Sequence, residues 1–556
     1  MTAMRFILAA VFLFTSVSIF KDVAEQAGLR FQHYNGMTGK FYLPEITGSG
    51  AALFDFDNDG DLDVFLVQGN VLEPNTKPGG TLFPWRGAES PRGKLFRNDL
   101  NTGSRKLSFA DVTQQSGIAA TGYGMGATVG DINNDGLPDL YVTNLGSNQM
   151  YLNKGDGKFV DVTKESGTDD PRWSTSASFF DYDRDGWLDL MIVNYADFSV
   201  TNSPNCYAAT TARDYCTPRV FRAPGNRLFH NKGNGIFEDV TVAAGVSKEF
   251  GHGLGVVTAD FNNDGWIDIY VANDGDPNQL WINQKNGTFV NDALLAGAAI
   301  NRNGQAEAGM GVDAGDFDGN GTEDIFVTHL MDETNTLYVN LGETLFEDRT
   351  REAGLGMPGR RFTGFGTAFF DYDNDGWLDL FVANGAVQLL LDLVREKNPF
   401  PLGQPNQLFR NTGKGSFVEV TDAGAEFVLL EVSRGAAFGD VDNDGDTDVL
   451  VTNNNGPARL LLNQIGNKNH WIGLRLIGKN GRDVLGAQVD VVTANGVLRR
   501  RVRTDGSYLS ANDPRVLVGL GAASQVKLVR VRWMDGTVEE FKDLTIDKYT
   551  TLKLNR

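Results

Sequence analysis

The sequence predicts an all-β fold: a seven-bladed β-propeller closed by the N-terminal strand, followed by a small β-rich C-terminal domain. The first observation is an acidic pattern, D-x-[DN]-x-[DN]-G-x-x-D, that occurs seven times in the 556 residues. A unit repeated many times along a chain is typical of repeat architectures. The second observation is composition, because 66 glycines and short apolar runs favour many strands joined by tight turns.

Each repeat is predicted to contain four short strands, and the second copy shows them without interruption. Residues 126–130 enter the acidic loop, 140–144 leave it, 150–153 follow, and 159–163 close the unit. The third-strand pattern, read as LFRN, LFHN, LWIN, LYVN, LFRN and LLLN in other copies, starts at Leu95, Leu228, Leu280, Leu337, Leu408 and Leu460. Four antiparallel strands in each of seven repeats predict seven blades.

The two ends of the array predict how it closes. The seventh repeat has no fourth strand of its own, because the repeat pattern stops after residue 463, whereas a fourth-strand pattern without a repeat stands at 20–23. We therefore expect the N-terminal segment to complete the last blade and to remove an exposed sheet edge. An open solenoid is the alternative, and it would leave the N-terminal segment unexplained.

Three repeats have a long insertion between the second and third strands, at 69–94, 195–226 and 385–406. Consecutive connections of an antiparallel blade leave opposite ends of the sheet, so the acidic loops share one face and the insertions share the other. We call the second face the insertion face and expect it to bind partners. Its candidates for stacking on a sugar or a peptide are Trp85, Tyr195, Tyr207, Tyr215 and Phe221, although an ordinary insertion core would use the same residues.

The acidic loops offer side-chain oxygens at positions one, three, five and nine, and a glycine at position six. Calcium takes six to eight such oxygen ligands, whereas magnesium demands near-octahedral geometry and zinc would need Cys or His. The helix-loop-helix calcium site requires Glu at position twelve, where these loops have apolar residues such as Leu66. Simple tight turns are the alternative, but repeated carboxylates at close range repel one another unless they are neutralised.

The loops therefore predict a calcium-binding β-hairpin in each blade and up to seven calcium ions. Loops two, four and five replace one carboxylate with Asn, and we expect them to bind more weakly. The predicted ligands are Asp55, Asp57, Asp59 and Asp63; Asp131, Asn133, Asp135 and Asp139; Asp181, Asp183, Asp185 and Asp189; Asp260, Asn262, Asp264 and Asp268; Asp316, Asp318, Asn320 and Asp324; Asp371, Asp373, Asp375 and Asp379; and Asp440, Asp442, Asp444 and Asp448.

Charge and the N-terminus predict the environment of the protein. The net charge of −21 repels phosphate backbones and argues against a nucleic-acid partner. Residues 1–18 have one Arg and an apolar centre, which is typical of a secretory signal, with an uncleaved anchor or a buried strand as alternatives. No later apolar run is long enough to span a membrane. Export to an extracellular or periplasmic space favours a disulfide between Cys206 and Cys216 over two free thiols.

The last segment, 466–556, contains no acidic loop and is predicted to form the second β domain. Alternating runs such as 471–476 and 527–533 indicate strands. Its basic cluster consists of Arg499, Arg500, Arg501 and Arg503. We expect a solvated strand face there, with an anionic ligand as the alternative.

These features resemble two known families. The repeats are similar to the FG-GAP/VCBS repeats of integrin α-subunit propellers, above all in Gly-Phe-Gly-Thr-Ala at 364–368, and 506–510, Gly-Ser-Tyr-Leu-Ser, resembles an ASPIC/UnbV domain. This domain order is that of the cartilage acidic protein family and its bacterial relatives. Together with the N-terminal pattern, these features predict a signal peptide at 1–18, an FG-GAP/VCBS-type propeller at 19–465 and an ASPIC/UnbV domain at 466–556. It also implies a secreted calcium-binding protein associated with adhesion or extracellular matrix.

Enzymatic activity has little support in the sequence, and no catalytic or cofactor-binding residue is predicted. The chain has five histidines and no nucleophile, P-loop or dinucleotide motif. His33 and Glu45 could form an acid/base pair, although a structural hydrogen bond is the simpler interpretation. We expect an adhesion or ligand-binding module for protein or glycan. The alternative, a glycoside hydrolase or lyase, would require two carboxylates outside the loops that face each other across a cleft.

Overall fold

The computed structural model describes residues 18–100, 103–104, 106–208 and 211–554. The predicted signal segment lies, except for its last residue, outside these ranges. The described chain is all-β, with a propeller-like arrangement of antiparallel sheets and only short helices. The predicted fold class is thereby confirmed at this level.

Within the described residues from Phe20 to Asn463, seven four-stranded sheets follow one another, and we number them 1 to 7. Sheet 1 contains Ala51–Phe54, Asp63–Leu66, Lys94–Asn98 and Phe109–Asp111; sheet 2 Tyr123–Gly130, Asp139–Leu145, Gln149–Asn153 and Phe159–Asp161; sheet 3 Ser174–Phe180, Asp189–Asn194, Arg227–Asn231 and Phe237–Asp239; sheet 4 Gly253–Ala259, Asp268–Asn273, Gln279–Asn283 and Phe289–Asn291; sheet 5 Val312–Gly315, Asp324–Val327, Thr336–Asn340 and Phe346–Asp348; sheet 6 Gly364–Phe370, Asp379–Asn384, Gln407–Asn411 and Phe417–Glu419; and sheet 7 Ser433–Gly439, Asp448–Asn453, Arg459–Asn463 and Phe20–Asp22.

The fourth strand of sheet 7 comes from the start of the described chain. Phe20–Asp22 pairs antiparallel with Arg459–Asn463, with Phe20 opposite Asn463. The first strands of successive sheets contact one another in order, and the first strand of sheet 7 contacts that of sheet 1. The apolar core lies between neighbouring sheets, as where Phe65 and Tyr151 pack together between sheets 1 and 2.

An asparagine at the end of every third strand joins each sheet to the one before it. Its side-chain amide donates to the backbone carbonyl at position two of the preceding acidic loop. The bonds are Asn153 to Phe56, Asn231 to Ile132, Asn283 to Tyr182, Asn340 to Phe261, Asn411 to Phe317 and Asn463 to Tyr372, and Asn98 of sheet 1 donates to Val441 of sheet 7. The acidic loops are therefore linked from sheet to sheet by side-chain hydrogen bonds.

Asn231→Ala tests the contribution of one of these links. The amide of Asn231 also donates to the Leu188 carbonyl, and its oxygen accepts from the Gly233 amide, all in buried positions. Because each unpaired buried polar group costs about 1–3 kcal/mol, we expect the free energy of unfolding in urea to fall by about 2–4 kcal/mol. Asn286→Ala, at an exposed asparagine with only a local contact to Thr288, is the control and should change it by less than about 0.5 kcal/mol. Equal losses would contradict the linking role.

Short helices connect some of these strands. The α-helices are Thr113–Ser116, Thr163–Ser166, Ala293–Ala296, Gly356–Gly359 and Leu391–Arg395; the 3₁₀ helices are Leu43–Ile46, Pro78–Gly80, Pro218–Val220, Val246–Lys248, Ala425–Val428 and Gly466–Lys468. Gly117, with φ of 82°, ends the first α-helix in the left-handed region that glycine adopts without strain. Within the described ranges, no helix combines the length and the apolar composition that a membrane crossing needs.

The C-terminal part forms two further sheets. One sheet has three strands, His470–Ile477, Val516–Gly521 and Tyr549–Lys553; the other has four, Gln488–Val492, Val497–Arg501, Leu528–Arg532 and Val538–Phe541. A small hairpin of Cys206–Tyr207 and Arg213–Asp214 lies in the second insertion. The domain limits 19–465 and 466–556 stay predictions.

Candidate functional site

The acidic loops connect the first and second strands of sheets 1 to 7, so every predicted ligand lies in or at the edge of such a turn. In loop one, Asp55 accepts hydrogen bonds from the backbone amides of Asp59 and Gly60. Gly60 has φ of 95°, which explains the glycine at position six. Asp63, at position nine, is fully buried and accepts from the backbone amides of Phe56 and Asn98. Positions one and nine therefore fix the loop while remaining carboxylates.

At least four loops bring three carboxylates together around one point. Their oxygen atoms lie within 4.8 Å of one another in Asp55, Asp57 and Asp63; in Asp181, Asp183 and Asp185; in Asp316, Asp318 and Asp324; and in Asp371, Asp373 and Asp379. In each of these loops one buried carboxylate oxygen, Oδ1 of Asp57, Asp181, Asp316 or Asp373, has no hydrogen-bond partner. Buried carboxylate oxygens are normally paired, and converging unpaired oxygens are the donors that a hard cation requires. Loops one, five and six, which have no histidine beside their carboxylates, therefore fit calcium.

In loops two and four, a carboxylate oxygen accepts a hydrogen bond from the Asn side chain of the same loop. The amide of Asn133 donates to Asp135 at 2.9 Å, and that of Asn262 donates to Asp264 at 2.9 Å. Each amide hydrogen occupies a carboxylate oxygen that a cation would otherwise bind. Weaker binding in these two loops stays a prediction. Loop five is also expected to be weak, but its three carboxylates form one of these clusters. Its Asn320 lies at position five and accepts a hydrogen bond from the Thr322 amide.

Burial raises the pKa values of the loop carboxylates in the metal-free protein. It raises the pKa of Asp55 to about 6, and that of Asp63 to about 9, with neighbouring loop carboxylates adding to the rise. The pKa of Asp371 rises to about 8 for the same reason, although Arg500 opposes the rise. The loops thus favour protons when no cation is bound.

This gives a pH dependence of stability in EDTA. The folded protein binds more protons than the unfolded chain between an Asp pKa of about 4 and the raised folded values, so stability falls as pH rises through that window. We expect the melting temperature in EDTA to be lower at about pH 8 than at about pH 5.5, since each pKa unit is worth about 1.4 kcal/mol. In saturating calcium the order should reverse, because acid displaces the ion. A melting temperature in EDTA that rises with pH would contradict the raised values.

The insertions meet one another at the end of the sheets away from the acidic loops. Phe83 of the first insertion packs against Phe400 of the third, and the backbone amide of Leu389 in the third donates to Asp214 of the second. A disulfide joins Cys206 and Cys216 within the second insertion, as predicted. The insertions therefore form one continuous layer on the insertion face.

A cavity of about 320 Å³ opens in this layer. Its walls are mainly apolar and aromatic and include Tyr195, Tyr215 and Tyr508, while its charged groups are Asp274, Glu333 and Arg219. We call it the insertion-face pocket. The Tyr195 hydroxyl donates to Asp274 at 2.6 Å, and burial raises the pKa of Asp274 to about 6. Glu333 accepts from the Ala308 amide at 2.9 Å.

Asp274, Glu333 and Arg219 were not predicted as site residues. Asp274 follows the second strand of sheet 4 and Glu333 precedes the third strand of sheet 5, so both occupy the connections that expand into insertions elsewhere. Acidic residues in these connections could therefore have been predicted as candidates for a site on the insertion face.

The aromatic candidates have different roles. Tyr195 and Tyr215 line the insertion-face pocket, whereas Phe221 is buried in the insertion core and Trp85 packs against Tyr34. Tyr207 is 62% exposed. The insertion-core interpretation therefore holds for Phe221, and the exposed stacking surface is limited to Tyr207.

His33 and Glu45 have separate partners. His33 accepts from the Asn455 amide, and burial lowers its pKa to about 3. Glu45 accepts from the backbone amides of Thr38 and Tyr42, and burial raises its pKa to about 7. Both residues hold the N-terminal segment in place, which is the structural interpretation.

The C-terminal domain covers the acidic loops. Arg475 approaches Asp55 at 3.6 Å, Arg482 approaches Asp181 at 3.7 Å, and Arg515 donates to the Asp440 carbonyl at 2.7 Å. Tyr549 donates to the Asp440 carboxylate at 2.9 Å. The domain therefore docks by placing basic side chains against the acidic face.

The expectation of a solvated arginine face is wrong. Arg499 donates to the Gly321 carbonyl in loop five, Arg500 to the Gly376 carbonyl in loop six, and Arg503 pairs with Asp313. The side chain of Arg501 is almost fully buried, with Glu323 at 3.6 Å. The physical reason is burial against the preceding sheets: loop carbonyls accept hydrogen bonds from Arg499 and Arg500, and carboxylates lie beside Arg499, Arg501 and Arg503.

Residues 504–513, which we call the central segment, run between the seven first strands. Ala511 bridges to Ala52 of sheet 1, and Ser507 bridges to Val312 of sheet 5. Further hydrogen bonds join the segment to the first strands of the remaining sheets through Ala127, Ser176, Thr258, Thr367 and Phe438. The central segment thus contacts all seven sheets and brings Tyr508 to the insertion-face pocket.

Comparison with protein families agrees with this architecture. An FG-GAP-like repeat model matches residues 131–192, 220–271, 260–327, 316–382 and 395–482, which together cover more than half of the chain. The chain belongs to the FG-GAP-like repeat family. An ASPIC and UnbV model matches residues 477–556. The family resemblance seen in the sequence is therefore confirmed, and its ASPIC/UnbV motif lies in the central segment.

Curated relatives of this FG-GAP-like chain include two cartilage acidic proteins. Cartilage acidic protein 1 of Mus musculus is 30% identical over 226 residues, which are 38% of this chain and 32% of the relative. Cartilage acidic protein 1 of Xenopus tropicalis is 25% identical over 321 residues, which are 56% of this chain and 38% of the relative. The chain thus spans about a third of the length of these relatives.

Solved structures that a structural comparison matches to this chain include two lectins. An Agrocybe aegerita lectin that recognises non-reducing terminal N-acetylglucosamine has a TM-score of 0.35 and 15% identity, over 68% of this chain and 90% of the lectin. The BP39L lectin from Burkholderia pseudomallei has a TM-score of 0.40 and 10% identity, over 75% of this chain and 96% of the lectin.

Proposed function

We propose that this chain is a secreted, calcium-binding, seven-bladed propeller that binds an extracellular protein or glycan and acts in adhesion. Closure of the ring by the N-terminal strand is supported by the pairing of Phe20–Asp22 with Arg459–Asn463 and by the bond from Asn98 to Val441. Secretion is supported by the apolar N-terminal segment and by the disulfide, which persists in oxidising compartments. The relatives' name refers to an acidic protein of cartilage, which agrees with an extracellular role.

Calcium would be held by the carboxylates at positions one, three and nine of loops one, five and six, with position five contributing where it is Asp. The ion supplies positive charge at a point where converging carboxylates repel one another. The carboxylate at position nine and the third-strand asparagine attach each loop to neighbouring strands by hydrogen bonds. An occupied loop would therefore stiffen the junction between two sheets. Loops two and four contribute less, because each has one carboxylate fewer and its Asn side chain donates a hydrogen bond to a remaining carboxylate.

The ligand site of this proposal is the insertion-face pocket, and the pocket is the observation that supports a binding module. Aromatic walls and a few converging polar groups on a rigid scaffold are typical of ligand sites. Tyr195 orients Asp274 by donating its hydroxyl, and the backbone amide of Ala308 orients Glu333. These groups can accept hydrogen bonds from sugar hydroxyls or from the amides of a peptide.

A binding array tests the proposal. The mature protein is applied to glycans and to extracellular matrix proteins in millimolar calcium, and we expect selective binding that EDTA abolishes. Gln388→Trp, which places a bulky side chain at the exposed edge of the pocket, should lower the affinity at least tenfold. Leu295→Trp, at a residue that is 84% exposed away from the pocket, is the matched control. Absence of binding to every class, or equal binding by both variants, would overturn the ligand site.

A second candidate function, hydrolysis of an extracellular glycan, is favoured by one observation. Asp274 and Glu333 are two carboxylates outside the loops that line one pocket, and the pKa of Asp274 is raised to about 6 by burial, with Glu333 adding to the rise. Glycosidases use such carboxylate pairs. Glycans are incubated with the wild type or with Asp274→Asn, and the products are analysed. New reducing ends formed only by the wild type would support hydrolysis, whereas unchanged glycans would exclude it.

A further inference from the structure

Loop three differs from the other six acidic loops because a histidine lies beside it. His230 is on the third strand of sheet 3, with Nδ1 at 3.1 Å from Asp189 Oδ1 and 3.4 Å from Asp183 Oδ2. The corresponding third-strand residues of the other sheets are Arg97, Leu152, Ile282, Val339, Arg410 and Leu462. Only loop three therefore has a nitrogen donor that can join its carboxylates around a cation.

A second observation points to a ligand at the same place. The Asp181 side chain is 3% exposed, and its Oδ1 has no hydrogen-bond partner. Its ligand atom lies within 4.8 Å of those of Asp183 and Asp185. The cation nearest to Asp181 is Arg482, whose Nη2 lies 3.7 Å from Oδ2, so the arginine leaves Oδ1 unpaired.

The donor spacing favours a small ion. Ligand atoms bound at about 2.0–2.2 Å from one metal ion, at tetrahedral or octahedral angles, lie roughly 3.0–3.5 Å apart. The two distances from His230 fall in this range, and in the metal-free protein the shorter one is a hydrogen bond between the imidazole and Asp189, which a bound ion would replace. Calcium prefers oxygen ligands at longer distances, whereas imidazole suits zinc and other first-row transition metals.

We propose that loop three is a mixed nitrogen and oxygen site for a divalent first-row transition metal ion, held by His230, Asp183 and Asp189, with Asp181 as a further carboxylate. The site selects its ion by the imidazole, which the other six loops lack. It does not depend on the insertion-face ligand or on calcium in the remaining loops. A single chain would then hold two classes of metal ion on the same face.

The test uses the mature full-length protein in millimolar calcium, titrated with Co²⁺ and followed by visible absorption and by calorimetry. We expect one Co²⁺ bound per chain in the presence of calcium, and His230→Leu should lower its affinity at least tenfold. Leucine occupies this position in sheets 2 and 7, so the substitution suits the strand. His470→Gln is the control, because His470 is 41% exposed and pairs with Asp547 outside the loops; it should bind Co²⁺ like the wild type.

Two results would overturn the site: displacement of all Co²⁺ by calcium, or equal Co²⁺ affinity in the wild type and His230→Leu. If His230→Leu does not fold, the His470→Gln protein is loaded with one equivalent of Cu²⁺ and measured by pulsed electron paramagnetic resonance. Modulation from an imidazole nitrogen supports coordination by His230, since His33, His252 and His329 are buried away from the loops. Absence of that modulation excludes it.

Discussion

Removal of calcium by excess EDTA is expected to lower the melting temperature of the mature protein by on the order of 10 °C. An ion present at ten times its dissociation constant stabilises the folded state by about 1.4 kcal/mol per site, so occupied loops contribute at most about 10 kcal/mol together, the value for seven equal sites. The unfolding entropy of a chain of this size is about 1 kcal/mol per kelvin, which converts this loss into the expected shift. Differential scanning calorimetry measures it directly.

Two additions distinguish calcium from a general effect of divalent ions. Restoring calcium after EDTA should restore the melting temperature, whereas the same concentration of magnesium should restore much less of it, because magnesium demands near-ideal octahedral geometry and keeps its waters. An Asp57→Asn and Asp373→Asn double variant, which changes two loops with unpaired carboxylate oxygens, should show a smaller EDTA shift. A melting temperature that does not change when EDTA is added would contradict the calcium interpretation.

Tyr508→Ala is expected to lower the free energy of unfolding of the whole chain by about 3–5 kcal/mol, as do other truncations of large buried aromatic residues. Tyr508 is fully buried between the first strands; its hydroxyl donates to the Thr47 carbonyl at 3.1 Å, and its ring packs against Phe365. Although Tyr508 belongs to the C-terminal domain, its loss should therefore destabilise the propeller. Urea unfolding followed by tryptophan fluorescence and by circular dichroism measures the change.

Tyr508→Phe is the matched control for this variant. It keeps the ring and removes one hydrogen bond, so it should cost about 1–2 kcal/mol. If the C-terminal domain were an independent module, Tyr508→Ala would lower only a separate unfolding transition and leave the propeller transition unchanged. That outcome would contradict the central segment as an internal support of the sheets.

Local repetition made most of the propeller predictable from the sequence. The acidic pattern places a turn at each first hairpin because Asp, Asn and Gly favour such turns, and the flanking apolar runs mark the strands. The fourth-strand pattern at 20–23 was sufficient to predict its pairing with the last repeat, which the structure contains. The asparagine of each third-strand pattern was visible in the sequence, but its bond to the preceding loop depends on how neighbouring sheets pack.

The parts that sequence reasoning missed depend on contacts between distant segments. Arg499 and Arg500 were expected to face solvent because a basic run usually does, but the acidic loops they contact lie far away in sequence. No local sequence pattern marks the pocket carboxylates Asp274 and Glu333, because they come together only through the packing of sheets 4 and 5. The sequence of the central segment contains a recognisable family motif, but its residues do not indicate that the first strands of seven sheets surround it.

A crystal structure grown in millimolar calcium tests most directly the proposal that calcium in the acidic loops clamps neighbouring sheets. Anomalous difference maps, collected at a wavelength where calcium scatters anomalously, should show peaks between the carboxylates of loops one, five and six at least, with oxygen ligands at about 2.3–2.6 Å. A folded protein with no anomalous peak in these loops would contradict the claim.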